Sequence, residues 1–125
     1  MSIEQEIIDK CLTAPRVTPD RIEEVIESEH YFTADAGVCG EVCFESDPST
    51  LLEDLEFKVV PQSLSLLTFC VLVIKNGFTV TGESACASPE NFDAEIGRKR
   101  ARGKAVEKIL QLEAYLLKQK LSEAS

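Results

Sequence analysis

The sequence predicts a single α+β domain in which an antiparallel sheet, built on an Asn-Gly hairpin, packs against a long C-terminal helix. Two runs rich in β-branched and apolar residues flank the Asn-Gly pair at positions 76 and 77, which is the strongest short-range hairpin signal. A helical pattern of apolar residues then extends from Phe92 to about Leu121. Two shorter helical patterns precede residue 30 and complete the predicted cover of the core.

The bulk composition is that of one soluble domain. The chain has 125 residues, of which 44% are hydrophobic and 28% charged. We divide domain 1–125 into N-terminal helices (1–30), a variable region (37–65) and the hairpin with its long helix (66–121). A net charge of −9 disfavours non-specific binding to DNA and to membrane surfaces. The acidic N-terminus is not a signal peptide, and no apolar run reaches transmembrane length, so we expect an intracellular protein.

The N-terminal region carries two helix-start signals. Ser2 and Gln5 form a capping-box pattern for the first helix, and Thr18 with Pro19 supplies an N-cap and a first-turn proline for the second. The aromatic stretch 30–32 follows, and we expect it to pack over the edge of the core rather than to stack on a ligand.

The middle of the chain has weaker patterns. Residues 33–40 are small and glycine-containing, which predicts a turn. Alternation over 41–45 predicts a short edge strand, and a brief helical turn is expected over 47–54. Residues 55–59 alternate cleanly and predict a further strand, after which 62–65 form a polar link.

The hairpin has a predicted register. A two-residue Asn-Gly turn pairs Lys75 with Phe78 and continues in steps of two along both strands. This register places Val73 on a largely apolar face. It places Leu72 on the other, half-apolar face, which is free to meet solvent, a partner subunit or a polar ligand.

The long helix has a wide apolar surface. At 100° per residue, two neighbouring stripes run along it. They comprise Ala101, Ala105, Ile109, Leu112 and Leu116, and beside them Val106, Leu110, Leu117 and Leu121. One small sheet face does not cover so wide a surface, so we expect a homo-oligomer, a dimer or higher.

Basic residues concentrate at the start of this helix, where five of the 13 lie within seven positions. Arg98 and Arg102 are one turn apart and lie on or beside the apolar stripe, so both require an anionic partner. Two alternatives follow. An internal partner, Glu83 or Glu95, makes the arginines structural, whereas an external partner would be a phosphate-bearing ligand.

The ligand alternative defines a candidate binding site. Phe78 would stack on a base, Thr81 and Asn91 would donate or accept directional hydrogen bonds, and Arg98 and Arg102 would hold phosphates. Catalysis is not indicated, because the lone His30 has no nucleophile partner and no phosphate-binding glycine loop is present. No metal site is predicted either, since the cysteine spacing is not that of a metal knuckle.

Several stretches resemble one family of small tailed-phage and prophage proteins, and together they cover well over half of the chain. They are Ser28 to Thr33, Asn76 to Cys86, Pro89 to Asp93, Glu95-x-Gly97 and Leu112 to Leu117. The resemblance is to the family that includes the anti-Thoeris sponges, which bind cyclic ADP-ribose-type signals or cyclic oligonucleotides. Leu110 and Ala114 depart from the tryptophan and glycine usual in its last helix, and residues 39–62 look like an insertion or a diverged loop.

The resemblance implies a phage anti-defence protein acting in the host cytoplasm. Such a protein sequesters a small cyclic nucleotide immune signal as an oligomer, without catalysis and without a cofactor. The alternative is a phage protein-interaction module that inhibits a host protein, because an acidic surface suits basic partners.

Overall fold

The computed structural model describes residues 2–10, 14–45 and 60–125, with the backbone alone for residues 42–45. Within them, one antiparallel sheet of order β1-β2-β3 carries the long last helix on one face, which confirms the predicted α+β class. None of the described helices is long and apolar enough to cross a membrane. The elements are α1 (Ile3–Asp9), α2 (Pro19–Val25), β1 (Ile26–Thr33), α3 (Ala34–Glu45), β2 (Leu67–Ile74), β3 (Thr79–Ala85) and α4 (Ala94–Ala124), with 3₁₀ helices at Gln62–Leu66 and Pro89–Asn91.

Both N-terminal helices begin at the predicted residues. The Ser2 hydroxyl accepts a hydrogen bond from the Gln5 amide at 3.1 Å, and the Thr18 hydroxyl accepts one from the Arg21 amide at 3.2 Å. Each bond satisfies a backbone donor that has no partner within its own helix. Pro19 occupies the first turn of α2, where its missing N–H has no cost.

Helix α4 is positioned by its smallest side chains. Asp93 caps it by accepting from the Ile96 amide at 3.0 Å. Its buried residues recur every four positions, at Gly97, Ala101, Ala105 and Ile109. Because three of these four are Gly or Ala, the helix backbone comes close to the sheet along a narrow line. The core beneath it includes Ile22, Val25, Cys70, Leu72 and Val80.

The apolar stripes of α4 are only partly buried. Ala101, Ala105 and Ile109 are fully buried, whereas Leu112 and Leu116 on the same stripe keep 44% and 43% of their surface exposed. The helix therefore continues beyond the part of the sheet that covers it.

The hairpin forms where predicted but in a different register. Phe78 pairs with Ile74, whose N–H donates to the Phe78 carbonyl at 2.8 Å, so the loop has three residues instead of two. Gly77 adopts φ 92° and closes the turn, and Leu72 pairs with Val80. Glycine reaches this conformation without steric cost, which favours the bulged loop.

The one-residue shift exchanges the predicted faces of β2 and leaves those of β3 as predicted. Leu72 and Cys70, predicted on the half-apolar face, are fully buried under α4. Val71 and Val73, predicted on the apolar face, are half-buried on the opposite side. The predicted register was wrong because the loop has three residues instead of two. Side chains alternate along a strand, so a shift of one residue exchanges the faces of one strand relative to its partner.

Residues 26–33 form strand β1, whereas the sequence predicted the end of a helix followed by an aromatic stretch at 30–32. Its residues Ile26 to Thr33 pair antiparallel with β2, with Tyr31 opposite Cys70 and Phe32 opposite Phe69. Tyr31 packs against the core as expected, but Phe32 stacks on Phe69 on the other face, with ring centroids 5.4 Å apart. The strand is polar and alternates weakly, so its pairing with β2 decides its conformation.

Helix α3 corrects two predictions in the middle of the chain. The predicted turn at 33–40 and the predicted edge strand at 41–45 are instead the end of β1 followed by one helix, Ala34–Glu45. Five alternating residues are too short a pattern to separate strand from helix. The predicted polar link at 62–65 is a 3₁₀ helix. The predicted helical turn at 47–54 and strand at 55–59 lie outside the described residues.

Substitution of Gly82 by alanine tests the close approach of α4 to β3. A Cβ atom at Gly82 would lie 2.0 Å from the Ala101 carbonyl oxygen and 2.6 Å from the Ala105 nitrogen. Backbone atoms on both sides cannot rotate away, so Gly82→Ala must displace the helix. We expect the free energy of unfolding to fall by about 3 kcal/mol or more, measured by urea denaturation.

Gly103→Ala is the matched control on the same helix. A Cβ atom at Gly103 meets nothing within 4 Å. Replacing an exposed helical glycine by alanine should raise stability by about 1 kcal/mol. Equal stabilities for Gly82→Ala and the wild-type protein would contradict the tight contact between α4 and β3.

Candidate functional site

The structure separates the five residues of the predicted ligand site. Phe78 and Thr81 share one groove at the hairpin. Asn91 lines a narrow cavity of about 40 Å³, Arg98 lines another of about 120 Å³, and Arg102 is held in an ion-pair network. The sequence predicted one pocket at the junction of hairpin and helix, whereas three cavities and a network occupy that region.

We call the largest of these spaces the hairpin groove. It encloses about 600 Å³ and is lined by Phe78, Thr79, Val80, Thr81, Lys108, Gln111 and Leu112. Phe78 is 57% exposed, so its aromatic side chain is accessible to a ligand. Lys108 reaches from α4 towards the edge strand β3, and its ammonium nitrogen lies 3.5 Å from the Thr81 hydroxyl. The groove thus combines an aromatic ring, a cation, hydroxyls and an amide.

Arg102 has internal partners, but not those that the sequence suggested. Its Nε donates to Glu29 and a terminal nitrogen donates to Glu23, both at 2.7 Å. Glu95 instead pairs with Lys99 at 3.2 Å, and Glu83 is exposed on β3. The prediction of Glu83 or Glu95 was wrong because strand β1, which carries Glu29, was not foreseen. Arg102 therefore joins α4 to α2 and β1.

The Arg102 network changes the pKa of its members. The Tyr31 hydroxyl donates to Glu29 at 2.7 Å, and this bond, followed by that from Arg102, lowers the Glu29 pKa. Burial, together with the Glu29 carboxylate, raises the pKa of Tyr31. Hydrogen bonds to Glu23 and Glu29 raise the pKa of Arg102. These pKa shifts favour an ionised Glu29, a protonated Tyr31 and a charged Arg102, which are the states that form the hydrogen bonds of the network.

Arg98 lies beside a second space, which we call the helix-start cavity. Tyr31, Phe32, Thr33, Thr68, Ala94 and Arg98 line it. Its lining residues come from the end of β1, the start of β2 and the first five residues of α4. Since Arg98 and Lys108 are ten positions apart on one helix, this cavity and the hairpin groove are separated by about 15 Å along the helix axis.

Two residues of these spaces were missed by sequence reasoning. Lys108 follows the basic cluster, and nothing in its neighbours indicates that it reaches the edge of β3. Thr68 is the second residue of β2 and lies inside an apolar run, where a threonine is an ordinary strand residue. The sequence does show a hydroxyl-bearing residue within an apolar run. Whether that hydroxyl is buried or exposed depends on the element that packs over it, which the sequence alone does not give.

The described residues contain no group of three or more His, Cys, Asp or Glu side chains placed to hold a metal ion. Cys39, Cys70 and Cys86 are free thiols, as predicted. Burial raises the pKa of the Cys70 thiol, which lies under α4 and lines neither space.

Removal of the Arg102 side chain should weaken the fold in a pH-dependent manner. The Glu29 pKa is lowered, so its stabilising contribution is complete above the ordinary value of 4.5 and is lost as the pH falls through the lower folded value. Since the carboxylates are partly exposed, we expect Arg102→Ala to cost about 1–2 kcal/mol at pH 7 and clearly less at pH 3. Urea denaturation at both pH values measures this.

The control for that measurement is Lys99→Ala, which removes a cation from an ion pair with both side chains 74% exposed. It should change stability by no more than about 0.5 kcal/mol at either pH. A loss in Arg102→Ala that is the same at pH 7 and pH 3 would argue against the Glu29 network.

Comparison with known proteins places the chain within a family. No curated protein and no solved structure matches it significantly. A sequence model of the phage protein (N4 Gp49/phage Sf6 gene 66) family matches residues 17–121, which include β1, the hairpin and most of α4. The chain therefore belongs to the phage protein (N4 Gp49/phage Sf6 gene 66) family.

Proposed function

We propose that this phage protein binds and sequesters a small cyclic nucleotide immune signal, of the cyclic ADP-ribose or cyclic oligonucleotide class, without changing it chemically. The observation that supports this most directly is the hairpin groove. It places the exposed Phe78 ring and the Lys108 ammonium group in one depression of about 600 Å³. That volume lies within the range of small-molecule sites.

The groove offers each part of a nucleotide a suitable contact. A base stacks on the Phe78 ring, because every base has a flat π-face and such stacking is worth about 1–3 kcal/mol. A phosphate pairs with Lys108, which acts as a compact positive charge. Gln111 and Thr81 both donate and accept hydrogen bonds, which suits a ribose or the edge of a base.

The same lining supports binding rather than catalysis. The described residues of the groove are Phe, Thr, Val, Lys, Gln and Leu, so they include no carboxylate, imidazole or thiol. Hydrolysis of a cyclic nucleotide requires a group that activates water or a metal that does so. Sequestration requires only affinity and slow release.

A second copy of the chain would complete the groove. Leu112 lines the groove and remains 44% exposed, and Leu116 follows on the same stripe. Neighbouring exposed residues extend this apolar surface along α4, namely Leu110, Tyr115 and Leu121. Packing of two such helices would bury the stripe and enclose the ligand, which links the proposed homo-oligomer to binding.

Isothermal titration calorimetry with a panel of cyclic ADP-ribose isomers and cyclic oligonucleotides tests the proposal. We expect saturable binding by the wild-type protein, with the nucleotide recovered intact. Phe78→Ala should weaken affinity by about tenfold or more through lost stacking. Lys108→Ala should weaken it by a similar factor because the phosphate loses its cation.

Lys118→Ala is the control, since it removes one exposed cation from α4 outside the groove. Its affinity should stay within about twofold of wild type. Absence of heat with every nucleotide would reject sequestration and favour the alternative, a module that inhibits a host protein. Binding unchanged in both groove variants would place the nucleotide elsewhere.

Substitution of Leu116 by glutamate tests the oligomer. A charge on the exposed stripe should shift the protein towards monomer in light-scattering measurements, because an unpaired charge in an apolar contact is costly. Ser122→Glu, with the same charge change at an exposed position of the same helix that lies off both apolar stripes, should leave the mass unchanged. A wild-type mass equal to that of one chain would contradict the homo-oligomer.

A further inference from the structure

We propose that a groove between residues 16–21 and the C-terminal part of α4 binds an amphiphilic carboxylate, that is, a carboxylate carried on an apolar chain. We call it the Arg16 groove. It encloses about 320 Å³, which is within the range of small-molecule sites, and it is lined by Arg16, Val17, Arg21, Glu113, Leu116, Leu117 and Lys120. None of these residues lines the hairpin groove, so the inference does not depend on the proposed nucleotide site.

The polar part of the lining is mainly cationic. Two guanidinium groups and one ammonium group, from Arg16, Arg21 and Lys120, face a single acid, Glu113. Glu113 lies 3.4 Å from the Nε atom of Arg21, so these two side chains satisfy each other. Lys120 pairs with no carboxylate among the described residues. Arg16 and Lys120 are therefore the cations that an external anion would meet.

The apolar part of the lining gives the ligand its second requirement. Val17, Leu116 and Leu117 contribute aliphatic side chains to the same groove, and Leu116 keeps 43% of its surface exposed. A chain laid against these side chains would remove apolar surface from water on both partners. A small inorganic anion would use the cations alone and leave this wall exposed.

A carboxylate of the protein itself shows which group Arg16 accepts. Both terminal nitrogens of Arg16 donate to the two carboxylate oxygens of Glu4, one of them at 3.1 Å. The planar guanidinium group matches a carboxylate in this forked geometry. These hydrogen bonds also lower the pKa of Glu4, which keeps the carboxylate ionised.

Helix α1, which carries Glu4, is weakly attached. Among the described residues, the contact with Arg16 is the only side-chain hydrogen bond or ion pair that joins α1 to the rest of the chain. No residue of α1 is buried, and Ile3 and Ile8 are 76% and 58% exposed. A partly exposed ion pair contributes little stability. Glu4 is therefore an internal competitor that an external carboxylate can displace from Arg16.

Isothermal titration calorimetry of the full chain with octanoate, kept below the concentration at which it forms micelles, tests the proposal. We expect saturable binding by the wild-type protein. Acetate has the carboxylate without the chain, and octanol has the chain without the carboxylate. Each should bind at least about tenfold more weakly than octanoate, because each lacks one half of the contacts.

Three variants test the roles of the residues. Arg16→Ala should weaken octanoate binding at least about tenfold, and Lys120→Ala should weaken it about fivefold, since each removes a cation from the carboxylate. Glu4→Gln should strengthen binding about fivefold, because Arg16 is then free in a larger fraction of the molecules.

Each variant has a matched control. Glu6→Gln makes the same charge change on α1 at an exposed position, and Lys118→Ala removes an exposed cation of α4 that does not line the groove. Both should bind octanoate within about twofold of wild type. Phe78→Ala alters the hairpin groove and should also leave octanoate binding unchanged, so failure of the nucleotide proposal does not affect this one. Thermal melts confirm that each variant is folded.

Four results would overturn the proposal. The first is no saturable octanoate binding by the wild-type protein. The second is binding of acetate or octanol as tight as that of octanoate. The third is wild-type affinity in Arg16→Ala. The fourth is equal strengthening by Glu4→Gln and Glu6→Gln, which would assign the effect to net charge rather than to competition for Arg16.

Discussion

The close contact between α4 and strand β3 at Gly82 is the constraint on which the rest of the structure depends. At this point the strand has no side chain, and the helix presents Ala101 and Ala105, so backbone meets backbone. The approach leaves no room for a Cβ atom at Gly82, and it therefore sets the height and the rotation of the helix over the sheet. The Arg102 network, the hairpin groove and the helix-start cavity all lie on or beside that helix.

The position of α4 determines what its other residues reach. Gly97 covers the Thr68 hydroxyl, while Arg102, five residues on, reaches Glu29 on β1. Lys108 lies towards the other side and meets Thr81 at the edge of β3. One rigid element thus carries three basic side chains to three different surroundings. Arg102 lies in an ion-pair network, and Arg98 and Lys108 each line a separate cavity.

The basic residues are concentrated on the same helix. The protein is acidic overall, yet five of its 13 basic residues lie near the start of α4. Some are neutralised within the fold, as in the pairs of Arg102 with Glu23 and of Lys99 with Glu95. Arg98 and Lys108 instead line cavities. The net charge of −9 disfavours binding of long nucleic acids.

The sequence by itself determined the elements whose signals are local. Capping residues located α1 and α2, the Asn-Gly pair located the hairpin, and a 3.6-residue period over many turns located α4. It also singled out Phe78 and Arg98, which do lie beside cavities. Only the tertiary structure decided that 26–33 is a strand, because a polar stretch with weak alternation takes its conformation from the strand it pairs with. It likewise decided the hairpin register, the partners of Arg102 and the burial of Thr68, since each depends on residues brought together from distant parts of the chain.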